Sequence, residues 1–269
     1  MDILETITAH KRKEVAHQKE AVPLNLLINL GSQRLNLTTS SMRQALEQSS
    51  SGIIAEFKRR SPSKGWLFSQ AKIEEIIPAY ERSGAAACSI LTDSDFFGGS
   101  FSDIQRARSL VQMPLLRKDF IIDEYQVYQS RVLGADAILL IAALLTIDEC
   151  RNLARIAHQL GMETLLEVHT ENELSNLNEY IDMLGVNNRN LGTFHTDIEN
   201  SFRMIAYIKK EAEISDNELL FVSESGISDM KVIHKLREVG FRGFLIGETF
   251  MKTDDPAEIL RKWTNLNSW

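Results

Sequence analysis

Between residues 52 and 247 of this 269-residue chain, eight short apolar runs alternate with stretches of helical periodicity. The runs fall at 52–58, 86–92, 114–119, 136–142, 163–169, 182–187, 218–223 and 243–247. They are apolar at consecutive positions, the pattern of strands covered on both faces. Helical stretches follow at 71–83, 102–111, 124–133, 147–160, 171–178, 198–213, 229–239 and 256–263. Such alternation demands crossover connections and therefore a parallel sheet. Gly84, Gly134, Gly161 and Gly240 stand just past helical stretches and lead into the next run, where a helix commonly ends in a left-handed residue. An eight-unit barrel needs ~250 residues. The chain is long enough, and no GxGxxG follows its first strand to suggest an open dinucleotide-binding sheet. The expected fold is α/β, a single (β/α)8 TIM barrel.

Residues 1–48 have another character. Ile3, Leu4 and Ile7 begin a weak helical stripe that runs into Lys11, Arg12, Lys13 and Glu14; a polar, loop-like stretch occupies 31–41, and 41–47 reads as a short helix. This segment is expected to be an N-terminal helical extension packing on the barrel formed by 49–269, one structural domain overall. A net charge of -7 and a pI near 5.5 exclude a broad basic face for nucleic acid or an anionic membrane. An anionic ligand must then be met by a local cluster. Cys88 and Cys150 suggest neither disulfide nor zinc spacing, and the six histidines show no HxH or HExxH pattern, so no metal is expected. The polar, charged start lacks the apolar core of a signal peptide, and the longest apolar run, 137–145, is under half a membrane span. A soluble, cytoplasmic protein is expected.

In parallel barrels the functional groups stand where strands end and βα loops begin. The first run ends Glu56-Phe57-Lys58, with Glu56 and Lys58 on the face of Ile54, and its loop carries Ser61 and Ser63. The third places Lys118 in line with Leu116, and the fifth places Glu167 in line with Leu165. The sixth ends in Asn187 and Arg189, the seventh runs into Glu224-Ser225-Gly226, and the eighth into Gly247-Glu248. A lone buried ion pair is more often structural than functional. Ionisable residues at most of the eight ends are not explained that way. Small residues after the seventh and eighth strands also suit phosphate, which approaches backbone N–H groups closely there.

These residues carry a family resemblance. Ile54-Ala55-Glu56-Phe57-Lys58 with Ser61-Pro62-Ser63-Lys64-Gly65, Arg117-Lys118-Asp119-Phe120, Leu166-Glu167-Val168, Gly185-Val186-Asn187-Asn188-Arg189-Asn190-Leu191, Glu224-Ser225-Gly226-Ile227 and Leu245-Ile246-Gly247 stand in order along the chain. The chain resembles the indole-3-glycerol phosphate synthase family over nearly its whole length, including an N-terminal extension of about this size, whose helix would cover the substrate side.

The resemblance implies a decarboxylating carboxy-lyase of tryptophan biosynthesis, closing 1-(2-carboxyphenylamino)-1-deoxyribulose 5-phosphate to indole-3-glycerol phosphate, carbon dioxide and water without metal or organic cofactor. Its partner would be that small phosphorylated substrate with an anthranilate ring, not nucleic acid or membrane, and the protein a monomer or weak homodimer. Lys118 would be the general acid at the ketone oxygen, Lys58 would hold the anthranilate carboxylate, and Glu167 would serve the dehydration. Either lysine could donate the proton in that last step. Glu56 would orient Lys58, and Asn187 completes the catalytic set. Arg189 and Glu224 would contact substrate, with Phe96 or Phe97, Phe120, Leu139 and Leu191 walling the anthranilate ring. Ser61, Ser225, Gly226, Gly247 and Glu248 would cradle the phosphate. Glu248 stands where the family often has serine, so its contact would be through the backbone. The rival readings are a barrel aldolase using Lys118 or Lys58 as a Schiff-base nucleophile, and a catalytically silent barrel that binds a ligand or partner.

Overall fold

The protein's structure, a computed structural model, describes residues 3–190, 192–212 and 219–265. Among these, eight parallel strands close into a barrel: β1 (Ile53–Phe57), β2 (Ala87–Leu91), β3 (Leu115–Lys118), β4 (Ala137–Ile141), β5 (Glu163–Val168), β6 (Met183–Asn187), β7 (Leu220–Glu224) and β8 (Gly243–Ile246). Each pairs with its neighbours in sequence, and β8 closes on β1 with Leu245 opposite Ile54.

The side-chain alternation of these strands creates two cores. Ile54, Ala87, Leu116, Leu139, Leu165, Met183, Val222 and Leu245 fill the barrel interior. Ile53, Ala55, Phe57, Ile90, Ile138, Leu140, Val186 and Phe244 face outward into the helical layer. Burying one Leu, Ile or Phe contributes ~1.5–3 kcal/mol, so two cores of this size tolerate the buried charges of the strand ends. The helices carry local start and stop signals. Thr146 and Glu149 form a reciprocal capping box, Asp123 and Asp229 accept from the first-turn N–H groups, and Gly84, Gly134, Gly161 and Gly240 are all left-handed.

Four helical segments precede β1 among the described residues: α1 (Ile3–Ala21), then Leu24–Leu30, Ser32–Leu35 and Met42–Gln48. The stretch 31–41 is thus not all loop. The stripe on α1 is continuous, because Ile7, Lys11 and Val15 follow one another at four-residue spacing and all three are buried. Two further expectations need correction. Residues 171–178 yield only a 3₁₀ helix, Glu171–Asn176. There Glu173 turns back to accept from the His169 N–H, and Ser175 and Asn176 hydrogen-bond to main-chain carbonyls rather than supporting an α-helix. The 198–213 helix is α over Glu199–Tyr207 and π over Ile208–Ala212; its expected end at 213 and the expected strand start at 218 lie outside the described residues. A small hairpin, Arg60–Ser61 with Gly65–Trp66, and a short helix Glu248–Met251 were not signalled by periodicity.

Candidate active site

The C-terminal ends of the strands surround a cavity of about 560 Å³. Inward parity brings Glu56 of β1, Lys118 of β3, Glu167 of β5, Asn187 of β6 and Glu224 of β7 to its wall, with Lys58 just beyond β1. The strand β7 extends one residue further than its sequence suggests, and that residue is Glu224. Two glycines make room for these side chains. A Cβ on Gly185 of β6 would lie 2.2 Å from Glu224 Oε1, and one on Gly247 would lie 2.1 Å from Glu56 Oε1. Inward-facing glycine is therefore a steric requirement of the buried carboxylates beside it.

The charges form two linked groups. Lys58 Nζ lies 2.5 Å from Glu56 Oε1. Lys118 Nζ donates to Glu167 Oε2 at 3.1 Å and stands 3.7 Å from Glu224 Oε2. Burial works to lower the Lys118 pKa, but the charges of Glu167, Glu224 and Glu56 outweigh it and hold the ammonium protonated well above the ordinary lysine range. Burial alone would raise the Glu167 pKa; the positive charges of Lys118 and His169 and hydrogen bonds from Asn187 and Lys118 bring it down to about 2. Glu224 goes the other way. Its desolvation, reinforced by the charge of Glu167, raises its pKa well above 4.5 despite Lys118, so it is the member of the pair that keeps a proton.

Barrel order separates two further regions. The loops after β7 and β8 lie across the ring from the ends of β3 and β4. On the first side, Ser61, Ser225, Gly226, Gly247 and Glu248 all line the cavity. Ser225 has φ 67, a left-handed conformation that costs a non-glycine residue ~1–3 kcal/mol and clusters at ligand sites. A Cβ on Gly226, with φ 78, would come within 2.7 Å of Thr196 Cγ2. Arg189 ties three loops together, donating to Ser63 Oγ at 2.6 Å and to Glu248 Oε2 at 3.0 Å. The Glu248 side chain is thus turned to an arginine, a contact its place beside Gly247 did not suggest.

On the opposite side, Phe97, Phe120, Leu139 and Ile141 form an apolar wall. Phe96 does not line the cavity; its ring meets His10 edge-on at 5.6 Å, because the Asp93 carboxylate captures its N–H and turns the loop there. Leu191 lies outside the described residues. Sequence reasoning missed Ile3, Leu4 and Ile7, which close this side from α1. Their spacing gave a helix, and only the resemblance suggested that it covers the substrate side. The ring of His169, a residue whose partner the sequence does not name, lies 3.6 Å from Glu167 and 3.4 Å from Glu173. Among the described residues, no cluster of three or more His, Cys, Asp or Glu side chains could hold a metal ion. No helix there is long and apolar enough to cross a membrane.

The family model for indole-3-glycerol phosphate synthase matches residues 4–263. The chain belongs to the indole-3-glycerol phosphate synthase family. It is 55% identical over 264 residues to an indole-3-glycerol phosphate synthase of Bacteroides thetaiotaomicron, covering 97% of each chain. Against that of Neisseria meningitidis serogroup B it is 42% identical over 262 residues, covering 96% of this chain and 98% of the relative. Among solved structures it resembles the tryptophan synthase alpha subunit of Legionella pneumophila, with TM-score 0.58 and 12% identity over 83% of this chain and 95% of the other. It also resembles KGPDC from Streptococcus mutans, with TM-score 0.56 and 13% identity over 78% of this chain and 94% of that one. Those two likenesses speak for the barrel alone. In a synthase of this family the expected (β/α)8 fold is therefore the observed one.

Proposed function

We propose that this chain is an indole-3-glycerol phosphate synthase, converting 1-(2-carboxyphenylamino)-1-deoxyribulose 5-phosphate to indole-3-glycerol phosphate with release of carbon dioxide and water. The observation that carries the reading is the Lys118 ammonium held between Glu167 and Glu224, with an apolar wall on one side and the small-residue loops on the other.

The chemistry divides among the residues as follows. The substrate phosphate rests on backbone N–H groups at Ser225, Gly226, Gly247 and Glu248, with Ser61 beside them. Its aromatic ring lies against Phe97, Phe120 and Leu139, which stretches the ribulose arm across the cavity floor. Lys58, oriented by Glu56, pairs with the anthranilate carboxylate and holds it near the forming bond. Lys118 donates a proton to the ketone oxygen as the ring carbon bearing the carboxylate attacks the carbonyl carbon. A carbon–carbon bond forms and the ketone becomes a hydroxyl. Loss of carbon dioxide returns its bonding electrons to the ring system. Dehydration then removes the hydroxyl as water, with Lys58 or Lys118 supplying the proton and Glu167 accepting one from the adjacent ring carbon. Asn187 hydrogen-bonds Glu167 and fixes its direction. Arg189 and the neutral Glu224 contact the substrate arm.

Paired with Glu167, Lys118 is protonated, the state a general acid needs, whereas the Schiff-base alternative needs a free amine. Residues 1–48 serve as an extension on a single barrel of 49–269, acting in the cytoplasm as a monomer or weak homodimer. The test is a fluorescence assay for indole product from the carboxyphenylamino substrate. Borohydride added during turnover discriminates the rival: covalent trapping with loss of activity would overturn the acid–base account.

A further inference from the structure

Lys11 is fully buried, yet no step of the proposed reaction uses it. Its ammonium lies 2.9 Å from Asp93 Oδ2, 3.0 Å from Asp119 Oδ1 and 2.7 Å from Glu14 Oε2. The two aspartates belong to the loops that build the ring side of the cavity. Asp93 opens the loop after β2, where its carboxylate accepts from the Phe96 N–H at 2.7 Å and its carbonyl from Gly99 at 2.8 Å. That loop presents Phe97. Asp119 directly follows Lys118, accepts from the Phe120 N–H at 2.9 Å, and is anchored in turn by Thr92 at 2.6 Å and Arg117 at 2.9 Å. One turn before Lys11 on the same face of α1 is Ile7, which lines the cavity with Ile3 and Leu4. His10 adds a more exposed tie from α1 to Asp95 of the same loop, at 2.8 Å.

An apolar side chain at position 11 would hold a helix on a barrel at no desolvation cost, whereas a buried ion pair stabilises weakly for the burial it requires. What the ammonium supplies is register, since three carboxylates from three segments converge on one point. We propose that Lys11 is a positioning residue: it locks α1, the Phe97 loop and the Lys118–Phe120 segment into one arrangement that encloses the aromatic end of the substrate and aims Lys118. This rests on reading the cavity as the ring-closing site. Because the small-residue loops after β7 and β8 lie across the barrel, the Lys11 network governs the ring end and leaves the phosphate end untouched.

The experiment uses Lys11→Met, Asp93→Asn and Lys11→Arg in the full chain, with steady-state kinetics and inhibition by anthranilate as the ring-end probe and inorganic phosphate as the other. Expected for Lys11→Met and Asp93→Asn is a rise of about tenfold in KM and in the anthranilate inhibition constant, with phosphate inhibition within about twofold of wild type. Lys11→Arg should restore much of the loss. Equal weakening of both probes, or no change in either, would overturn the assignment. Should Lys11→Met fail to fold, Asp93→Asn carries the same comparison. A wild type that makes no indole product, but whose variants still split the two probes when their binding is measured directly by calorimetry, would refute the proposed reaction and leave the role of Lys11 standing.

Discussion

Glu167 and Glu224 reach the same Lys118 ammonium from β5 and β7, the Glu224 carboxyl lying over Gly185 of the intervening strand β6. With both carboxyls ionised, two negative charges would face one positive in this buried space, one negative too many. The proton on Glu224 resolves this, leaving a single ion pair between Lys118 and Glu167.

That proton has a consequence for stability. In the unfolded chain Glu224 ionises near 4.5, whereas in the folded chain it holds its proton to much higher pH. The folded state therefore binds more protons above pH 4.5, and stability falls as pH rises from there toward the elevated folded value. Glu224→Gln keeps the shape and removes the titration. Its melting temperature should fall less than that of wild type between pH 5 and 8; parallel curves for the two proteins would place the shared proton elsewhere.

In the proposed reaction Lys118 carries the heaviest catalytic demand. Lys118→Ala should lower kcat by about 10²–10⁴ with a much smaller change in KM, the range expected when a positioned general acid is lost. Glu167, left without its cation, stays buried, so the variant should also melt lower. A fall in kcat of less than fivefold would move the acid to another residue.

Inorganic phosphate should inhibit competitively. Gly226 is left-handed and close to Thr196, so Gly226→Val cannot keep the loop in place, and KM should rise by at least about tenfold with phosphate inhibition lost. Inhibition that is indifferent to substrate concentration would put the anion elsewhere.

Glu248 sits among positive charges that lower its pKa against the effect of burial: Arg189 first, then Lys64 and Lys58. Its carboxylate competes with an incoming phosphate for the same field. Glu248→Gln should tighten phosphate inhibition by about three- to tenfold, the effect of one unit charge about 4 Å away when water screens it, ~1 kcal/mol. The gain should shrink as salt is raised. Weaker inhibition in this variant would mean that Glu248 matters chiefly as the anchor of Arg189.

The alternation of apolar runs and helical stretches determined the barrel, because a parallel strand buried on both faces leaves a continuous signature and each crossover helix leaves another. Strand parity likewise assigned Glu56, Lys118 and Glu167 to the interior, since period-two alternation is a local property. Locality also marks where such reading stops. Lys11 looks like the polar end of a weak stripe; it is buried because Asp93 and Asp119, some eighty and a hundred residues away, arrive to meet it. Glu224 carries a proton because Glu167 and Lys118 share its space, and Gly185 and Gly247 are glycines because carboxylates from other strands lie against them. Charge state, register and close approach depend on distances between segments far apart in the chain, and only closing the barrel sets those distances.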